Sequence, residues 1–398
     1  MLGDAGGLPS ADPPLARGAP LKTLVIGRHR WPVSPERNEL DYPVWVGLQQ
    51  RLGGPVTLIV CGPVRATERR GTQELRFVLV PERYGAAGFF LVAARNAFAW
   101  ARGTESPRVI VASEVVGGLV GSLVKRFRRT PFVMNIQGDV LNPGREYGSA
   151  LKRYALRTAS KVTVSEADSV RCLNETIASY VSSFRPEAHR IVLGSRVDTK
   201  RFTYRPPRGP IGNDGPLVIC VGALIALKNQ ALLIRSVAIA RARLPGIRLV
   251  LVGAGPERER LIALTTDAGI GPATEFLGQI PHERLPQVLA SADLYASPSL
   301  SEGQPRSILE AQASGVPVIA SDIPGHRDII SPGRTGLLLE DLVPDIWADA
   351  IIRLSRDDEL RDSLSLTARA LVERDHEFES QLDRFAVLIS DTVDRASA

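Results

Sequence analysis

The sequence predicts an α/β protein of two domains with mostly parallel sheets. Three observations carry this. Short apolar, β-branched runs bounded by glycine or proline recur along the chain, as strands buried on both faces of a parallel sheet require. Segments with helical periodicity alternate with them. A chain of 398 residues exceeds one ordinary core and suits two.

The strand-like runs come first as Leu21–Ile26, Pro55–Val60, Leu75–Val80, Arg108–Ala112, Pro131–Ile136, Lys161–Val164 and Arg190–Leu193. After a break they resume as Leu217–Val221, Ile247–Val252, Thr274–Leu277, Asp293–Ala296, Pro317–Ala320 and Gly336–Leu339. Helical periodicity marks Gln230–Ala242, Glu257–Ala268, Glu283–Ala290, Arg306–Ser314 and Asp345–Leu354. The break, Tyr204–Gly215, concentrates Pro, Gly, Asn and Asp without any period and reads as a linker. The expected organisation is a flexible tail at 1–20, a first domain at 21–203, the linker at 204–215, a second domain at 216–375 and a final helix at 376–398 that returns to the first domain. The apolar stretch Ala86–Ala101 is broken by Arg95 and Asn96 and is too short to span a bilayer. With no signal-peptide pattern at the start, a cytoplasmic protein is expected.

Composition excludes several classes. Hydrophobic residues make 44% and charged residues 23%, which is too apolar for a disordered chain. Cys61, Cys172 and Cys220 stand far apart, so neither a disulfide scaffold nor a zinc ribbon is indicated. The five histidines, His29, His189, His282, His326 and His376, show no paired metal spacing. The net charge of +6 permits an anionic partner without choosing one.

The strongest chemical signal is Ser297–Gly315. A strand ends in a polar loop, and Glu302-Gly303-Gln304-Pro305 leads into a helix. Pro305 suits a helix start, whose free N–H groups favour phosphate, and Gly303 lets a ligand approach the backbone. Glu310 lies among Ile308, Leu309, Ala311 and Ala313, so its carboxylate needs a partner. A ribose diol supplies two hydroxyls for its two oxygens. Two glutamates eight residues apart more often only cap a helix and pair with an arginine. The loop, the proline and the helix start tip the balance toward function. The second signal is Val218–Gln230, where a strand ends at Gly222 and Lys228 precedes a helix, as a diphosphate site requires. Both signals fall at the carboxyl edge of one sheet, where open α/β sheets bind ligands. The third, Leu251–Glu259, lacks the last glycine of a dinucleotide fingerprint and is not read as NAD binding.

VGALIALKNQ, VGAGPE, FLGQIPHERLPQVLASADLYASPSLSEGQPRSILEA, SGVPVIASDIPGHRDII and GRTGLLL follow one another from Val218 to Leu338. This half resembles glycosyltransferase family 4, retaining sugar-nucleotide transferases of the GT-B fold. KVTVSE (Lys161–Glu166) and RIVLGSRVDTKRF (Arg190–Phe202) extend the resemblance into the first half, KVTVSE as a strand. It implies two Rossmann-like domains facing a central cleft that closes over donor and acceptor. It also implies a hexosyl- or pentosyltransferase using a nucleoside-diphosphate sugar, UDP- or GDP-linked, with no metal or other cofactor. The acceptor is a hydroxyl, lipid-linked in many members, in cell-surface polysaccharide or glycolipid assembly. Glu310 would hold the donor ribose, and Glu302 the donor sugar, helped by backbone at Gly303 and Gln304. Lys228 would neutralise the diphosphate, with Gly222, Ala223 and Arg306 lining the donor site.

Three departures stand out. The family usually carries an arginine at the position of Ala223, which leaves Lys228 to act alone or Arg306 or Arg327 to reach in. It often has a histidine where Gln137 stands, and glutamine can hydrogen-bond but cannot act as a base. The first strand ends in Ile26-Gly27-Arg28-His29 without the double glycine many members have. These departures leave two alternatives: a GT-B sugar-nucleotide epimerase or hydrolase, and a catalytically weak nucleotide-sugar-binding subunit. The basic run Lys125–Arg129 follows an apolar stretch and is a candidate contact with an anionic membrane surface. A core helix whose basic end complements its dipole accounts for it equally. No nucleic-acid module is recognised.

Overall fold

The structure, a computed structural model, describes residues 20–30, 42–62, 75–102, 107–137, 141, 149–206, 211 and 215–397. Most of the N-terminal tail and of the linker lies outside them. The chain forms two compact units. The first comprises Met1–Cys172, Thr176–Ile191 and Leu382–Ala398, and the second Leu173–Glu175 and Val192–Gln381. Segment 204–215 therefore falls inside the second unit, and the chain passes between units at Val192.

In chain order the first unit holds β1 (Lys22–Arg30), α1 (Tyr42–Leu52), β2 (Val56–Cys61), β3 (Leu75–Val80), α2 (Gly85–Trp100), β4 (Arg108–Ser113), α3 (Glu114–Arg128), β5 (Phe132–Ile136), α4 (Ala150–Glu166), β6 (Ser169–Cys172), α5 (Glu175–Phe184) and β7 (His189–Val192). Its seven-stranded sheet runs β3-β2-β1-β4-β5-β6-β7. The pairings of β1 with β2 and β4 are parallel, and the strand order reverses between β1 and β4. Leu24, Val25, Ile26, Leu58, Ile59, Val109, Ile110 and Val111 are buried, which accounts for their unbroken apolar runs.

One sequence expectation fails here. Lys161–Val164 is not a strand but the last part of α4. Its β-branched alternation is accommodated because hydroxyls bond back into the helix. Ser160 Oγ donates to the Leu156 carbonyl at 2.8 Å and Thr163 Oγ1 to the Ser160 carbonyl at 2.9 Å. The strand that follows is β6, too short to stand out in the sequence.

The second unit continues with β8 (Leu217–Val221), α6 (Gln230–Arg241), β9 (Arg248–Val252), α7 (Arg258–Asp267), β10 (Thr274–Gly278), α8 (Leu285–Leu289), β11 (Leu294–Ser297), α9 (Arg306–Ala313), β12 (Val318–Ser321), α10 (Pro324–Arg327), β13 (Leu337–Leu339), α11 (Pro344–Arg356), α12 (Asp358–Asp375) and α13 (Phe378–Ser397). Six strands run β10-β9-β8-β11-β12-β13, and β8 pairs in parallel with both β9 and β11. One face of this sheet is covered by α6 and α11 through Leu233, Val237, Trp347 and Ile351. The other is covered by Ile308 and Leu309 of α9 with Phe202 and Leu289. Each such side chain contributes about 1.5–3 kcal/mol by leaving water.

Helix α13 starts in the second unit, and from Leu382 onward its residues belong to the first. There Arg51 Nε donates to Asp383 Oδ1 at 2.6 Å, and Thr392 Oγ1 donates to Ser169 Oγ at 2.7 Å.

Candidate active site

The strand order of the second sheet reverses between β8 and β11, so the loops leaving these neighbours diverge and open a crevice at the carboxyl edge. Both strong sequence signals emerge there. The β8–α6 loop carries Gly222, Ala223 and Lys228, and the β11–α9 loop carries Glu302, Gly303 and Gln304. The loops are tied by a backbone bond, Leu300 N–H to the Leu227 carbonyl at 2.8 Å. This brings Lys228 Nζ onto Glu302 Oε1 in a short ion pair. Ser299 Oγ donates to the same carboxylate oxygen at 3.0 Å.

Backbone approach is close on both sides of this pair. Gly253, after β9, has φ +136°, and a Cβ there would lie 2.0 Å from the Gly222 carbonyl oxygen. A Cβ on Gly325, in α10, would lie 2.1 Å from the Gly303 carbonyl oxygen and 2.3 Å from that of Glu302. Beneath the loop, His326 is fully buried. Its Nδ1 donates to the Ser321 carbonyl at 2.7 Å, and Ser321 Oγ donates to the Ser299 carbonyl at 2.5 Å. Burial pushes the His326 pKa down and keeps the ring neutral. A brace of separate hydrogen bonds, through backbone carbonyls as well as side chains, thus links His326, Ser321 and Ser299 to Glu302. Sequence reasoning missed it, since small serines and an isolated histidine carry no spacing signal.

Glu310 sits in the second turn of α9, buried, with its neighbours Ile308, Leu309 and Ala311 fixing the helix in the core. Its Oε1 lies 2.8 Å from His282 Nε2. Cys220, under the Lys228 loop, is buried, and its thiol pKa is pushed up to about 12, so it stays protonated.

Other site candidates are placed differently. The Gln304 side chain accepts from the Ser195 N–H at 2.5 Å, and its carbonyl accepts from Ser195 Oγ at 2.8 Å. Those Gln304 groups hold the segment after β7. Arg327 is exposed and its guanidinium is held by Asp322, with Nη2 2.8 Å from Oδ2. Ala223 is exposed, and its carbonyl accepts from Gln230 Nε2 at 3.0 Å. Arg306 is the first residue of α9. Gln137 is exposed just past β5, at the carboxyl edge of the first sheet, in the other unit. Among the described residues no group of three His, Cys, Asp or Glu side chains that could hold a metal occurs.

Two α/β units with parallel sheets are the architecture of glycosyltransferases of the GT-B type. The family described as glycosyl transferases group 1 matches residues 205–371, and the glycosyl transferase 4-like domain matches 44–194. A GDP-mannose-dependent alpha-(1-6)-phosphatidylinositol monomannoside mannosyltransferase of Mycolicibacterium smegmatis is 30% identical over 287 residues, covering 68% of this chain and 73% of that relative. A D-inositol 3-phosphate glycosyltransferase of Nocardia farcinica is 34% identical over 265 residues, 62% of this chain and 58% of that relative. Among solved structures, a sucrose-phosphate synthase from Thermosynechococcus elongatus superposes with a TM-score of 0.74 at 19% identity, covering 94% of this chain and 99% of that one, a likeness of fold. The chain belongs to glycosyltransferase family 4, and it is a sugar-nucleotide-dependent glycosyltransferase.

Proposed function

We propose that the chain is a retaining, metal-independent hexosyltransferase that moves a sugar from a nucleoside-diphosphate donor to a hydroxyl of an inositol-bearing, lipid-linked acceptor. The observation that carries the donor site is the meeting of Lys228 and Glu302 at the β8/β11 switch point, with Glu310 one element along. The acceptor class rests on the relatives, whose names share an inositol ring. GDP-mannose is the first donor to try, being the donor named for the Mycolicibacterium smegmatis relative.

In this mechanism Glu310 holds the ribose and Glu302 the donor sugar. The bond between the sugar's anomeric carbon and the β-phosphate oxygen breaks, and the acceptor oxygen bonds to that carbon on the same face. The acceptor's proton passes to the departing phosphate oxygen, so no side-chain base is required and Gln137 serves as a hydrogen-bonding group. Lys228 stabilises the charge that develops on the leaving diphosphate. A preorganised donor of this kind is worth about 2.7–4 kcal/mol.

The proposal includes peripheral binding to an anionic membrane through the first unit. Lys125 is engaged by Asp168 Oδ1 at 2.6 Å and by the Glu166 carbonyl at 2.7 Å, so the exposed basic group narrows to Arg126, Arg128 and Arg129. These flank Phe127, which is 69% exposed, and on α2 Leu91 is 68% exposed. Among the described residues no helix is long and apolar enough to cross a membrane.

The test is mass spectrometry of products from a panel of UDP- and GDP-sugars, offered with phosphatidylinositol vesicles or with free inositol phosphate. Transfer of one hexose to the lipid, lost in Glu302→Ala, is expected. Nucleotide binding without transfer or donor hydrolysis would instead identify a catalytically weak subunit. Transfer to free inositol phosphate alone would overturn the lipid acceptor.

A further inference from the structure

The ring of His282 stands in the 3₁₀ turn after β10, between two groups of fixed polarity. On one side its Nε2 lies 2.8 Å from Glu310 Oε1, and on the other Arg201 Nη1 lies 3.0 Å from its Nδ1. A guanidinium only donates and an ionised carboxylate only accepts. The ring therefore carries its proton on Nε2, accepts at Nδ1 and donates to Glu310. Phe202, buried, packs against the ring with centroids 5.5 Å apart. Asp198 Oδ1 caps the turn beneath Arg201, accepting from the Arg201 N–H at 3.0 Å.

We infer that His282 is a positioning residue for nucleotide recognition: it pins Oε1 of Glu310 and so presents the carboxylate in one orientation to the ribose hydroxyls. The inference rests on the assignment of Glu310 to the ribose. Glu310 has one turn of helix on either side and apolar neighbours, so nothing else described near it donates to its carboxylate oxygens. Without His282 the Oε1 anchor is lost and the plane of the carboxylate is no longer set, and a bidentate grip on two adjacent hydroxyls depends on a fixed plane. The family's sugar-nucleotide chemistry thus gains a ribose-discriminating relay, Arg201 to His282 to Glu310, carried on three separate elements of the second unit.

The experiment is calorimetric binding of UDP and GDP, and of their 2′-deoxy counterparts, to the full chain and to variants. The wild type is expected to prefer the ribonucleotide, and Glu310→Ala to erase the preference. His282→Ala should lower ribonucleotide affinity roughly tenfold, the size expected for a bond to a charged acceptor, while changing deoxynucleotide affinity little. His282→Gln, whose amide offers a donor to Glu310 and an acceptor to Arg201, should restore most of the preference. A purely structural role would weaken both nucleotides equally and would not be rescued in this selective way. If Glu310→Ala keeps the preference, the ribose assignment itself fails. If Glu310→Ala loses it but His282→Ala retains it in full, the assignment stands and the positioning role is overturned. Melting curves of both His282 variants are the check that the fold is intact.

Discussion

The stability losses from removing Lys228 and from removing Glu302 are expected not to add, because the two side chains form one pair. The side chains are only 21% and 15% exposed, so each charge relies on the other for solvation. Breaking a fully buried pair costs about 3–5 kcal/mol, and the residual exposure here scales that to about 2 kcal/mol for Lys228→Met. Ser299 still donates to Glu302 in that variant, which limits the loss. Glu302→Gln keeps the shape and an oxygen for Lys228, and about 1 kcal/mol is expected. The double variant leaves no unpaired charge and should recover about 1–2 kcal/mol relative to the sum. For a unit of this size, 2 kcal/mol corresponds to a melting shift of about 4–8 °C, which differential scanning fluorimetry resolves. In donor turnover Lys228→Met should lose about 10²–10³-fold, because charge on the leaving diphosphate goes uncompensated. Two results would refute this. One is stability losses that add within about 0.5 kcal/mol. The other is full turnover by Lys228→Met.

Two further outcomes follow from the same geometry. Ala223→Arg places a second cation on the β8–α6 loop and should raise nucleoside-diphosphate affinity several-fold, with a steeper loss at high salt; unchanged affinity by calorimetry would show that the position does not face the diphosphate. Acid should destabilise the second unit through His326 and His376, both held below their ordinary pKa by burial. As pH falls through about 6.5 the unfolded chain takes up these protons before the folded one, so stability present above that pH is progressively lost below it. His326→Asn, which can still donate to the Ser321 carbonyl, should flatten this limb in urea titrations at pH 5 and 7.

Most strands were readable because a parallel strand buried on two faces leaves an uninterrupted apolar run, as in Val109–Ala112 and Leu217–Val221. Lys161–Val164 misled because its periodicity is local, whereas the hydroxyl bonds that let α4 run through it depend on geometry. That Lys228 and Glu302 fall on neighbouring loops at one sheet edge was legible because loop, proline and helix start follow family spacing. His282, Ser195, Ser299 and His326 were not. His282 and Ser195 act through partners far away in the chain, as Ser195 does with Gln304, and nothing in a linear sequence marks a distant hydrogen bond; Ser299 and His326 bond near neighbours in segments without any period. The side chain of Gln304 illustrates the converse, a residue recognisable by motif whose carbonyl and amide oxygen serve the frame.

The way α13 passes from one unit to the other has a consequence for biosynthesis. Leu382, Phe385 and Ile389 are buried, and the residues that complete the first unit leave the ribosome after those of the second. The second unit has all its residues once Gln381 has emerged. Domains usually mature in the order in which they are made. Here that order is inverted: the half that is translated first must wait, with its apolar seat for α13 open, until the half that is translated later has already been completed.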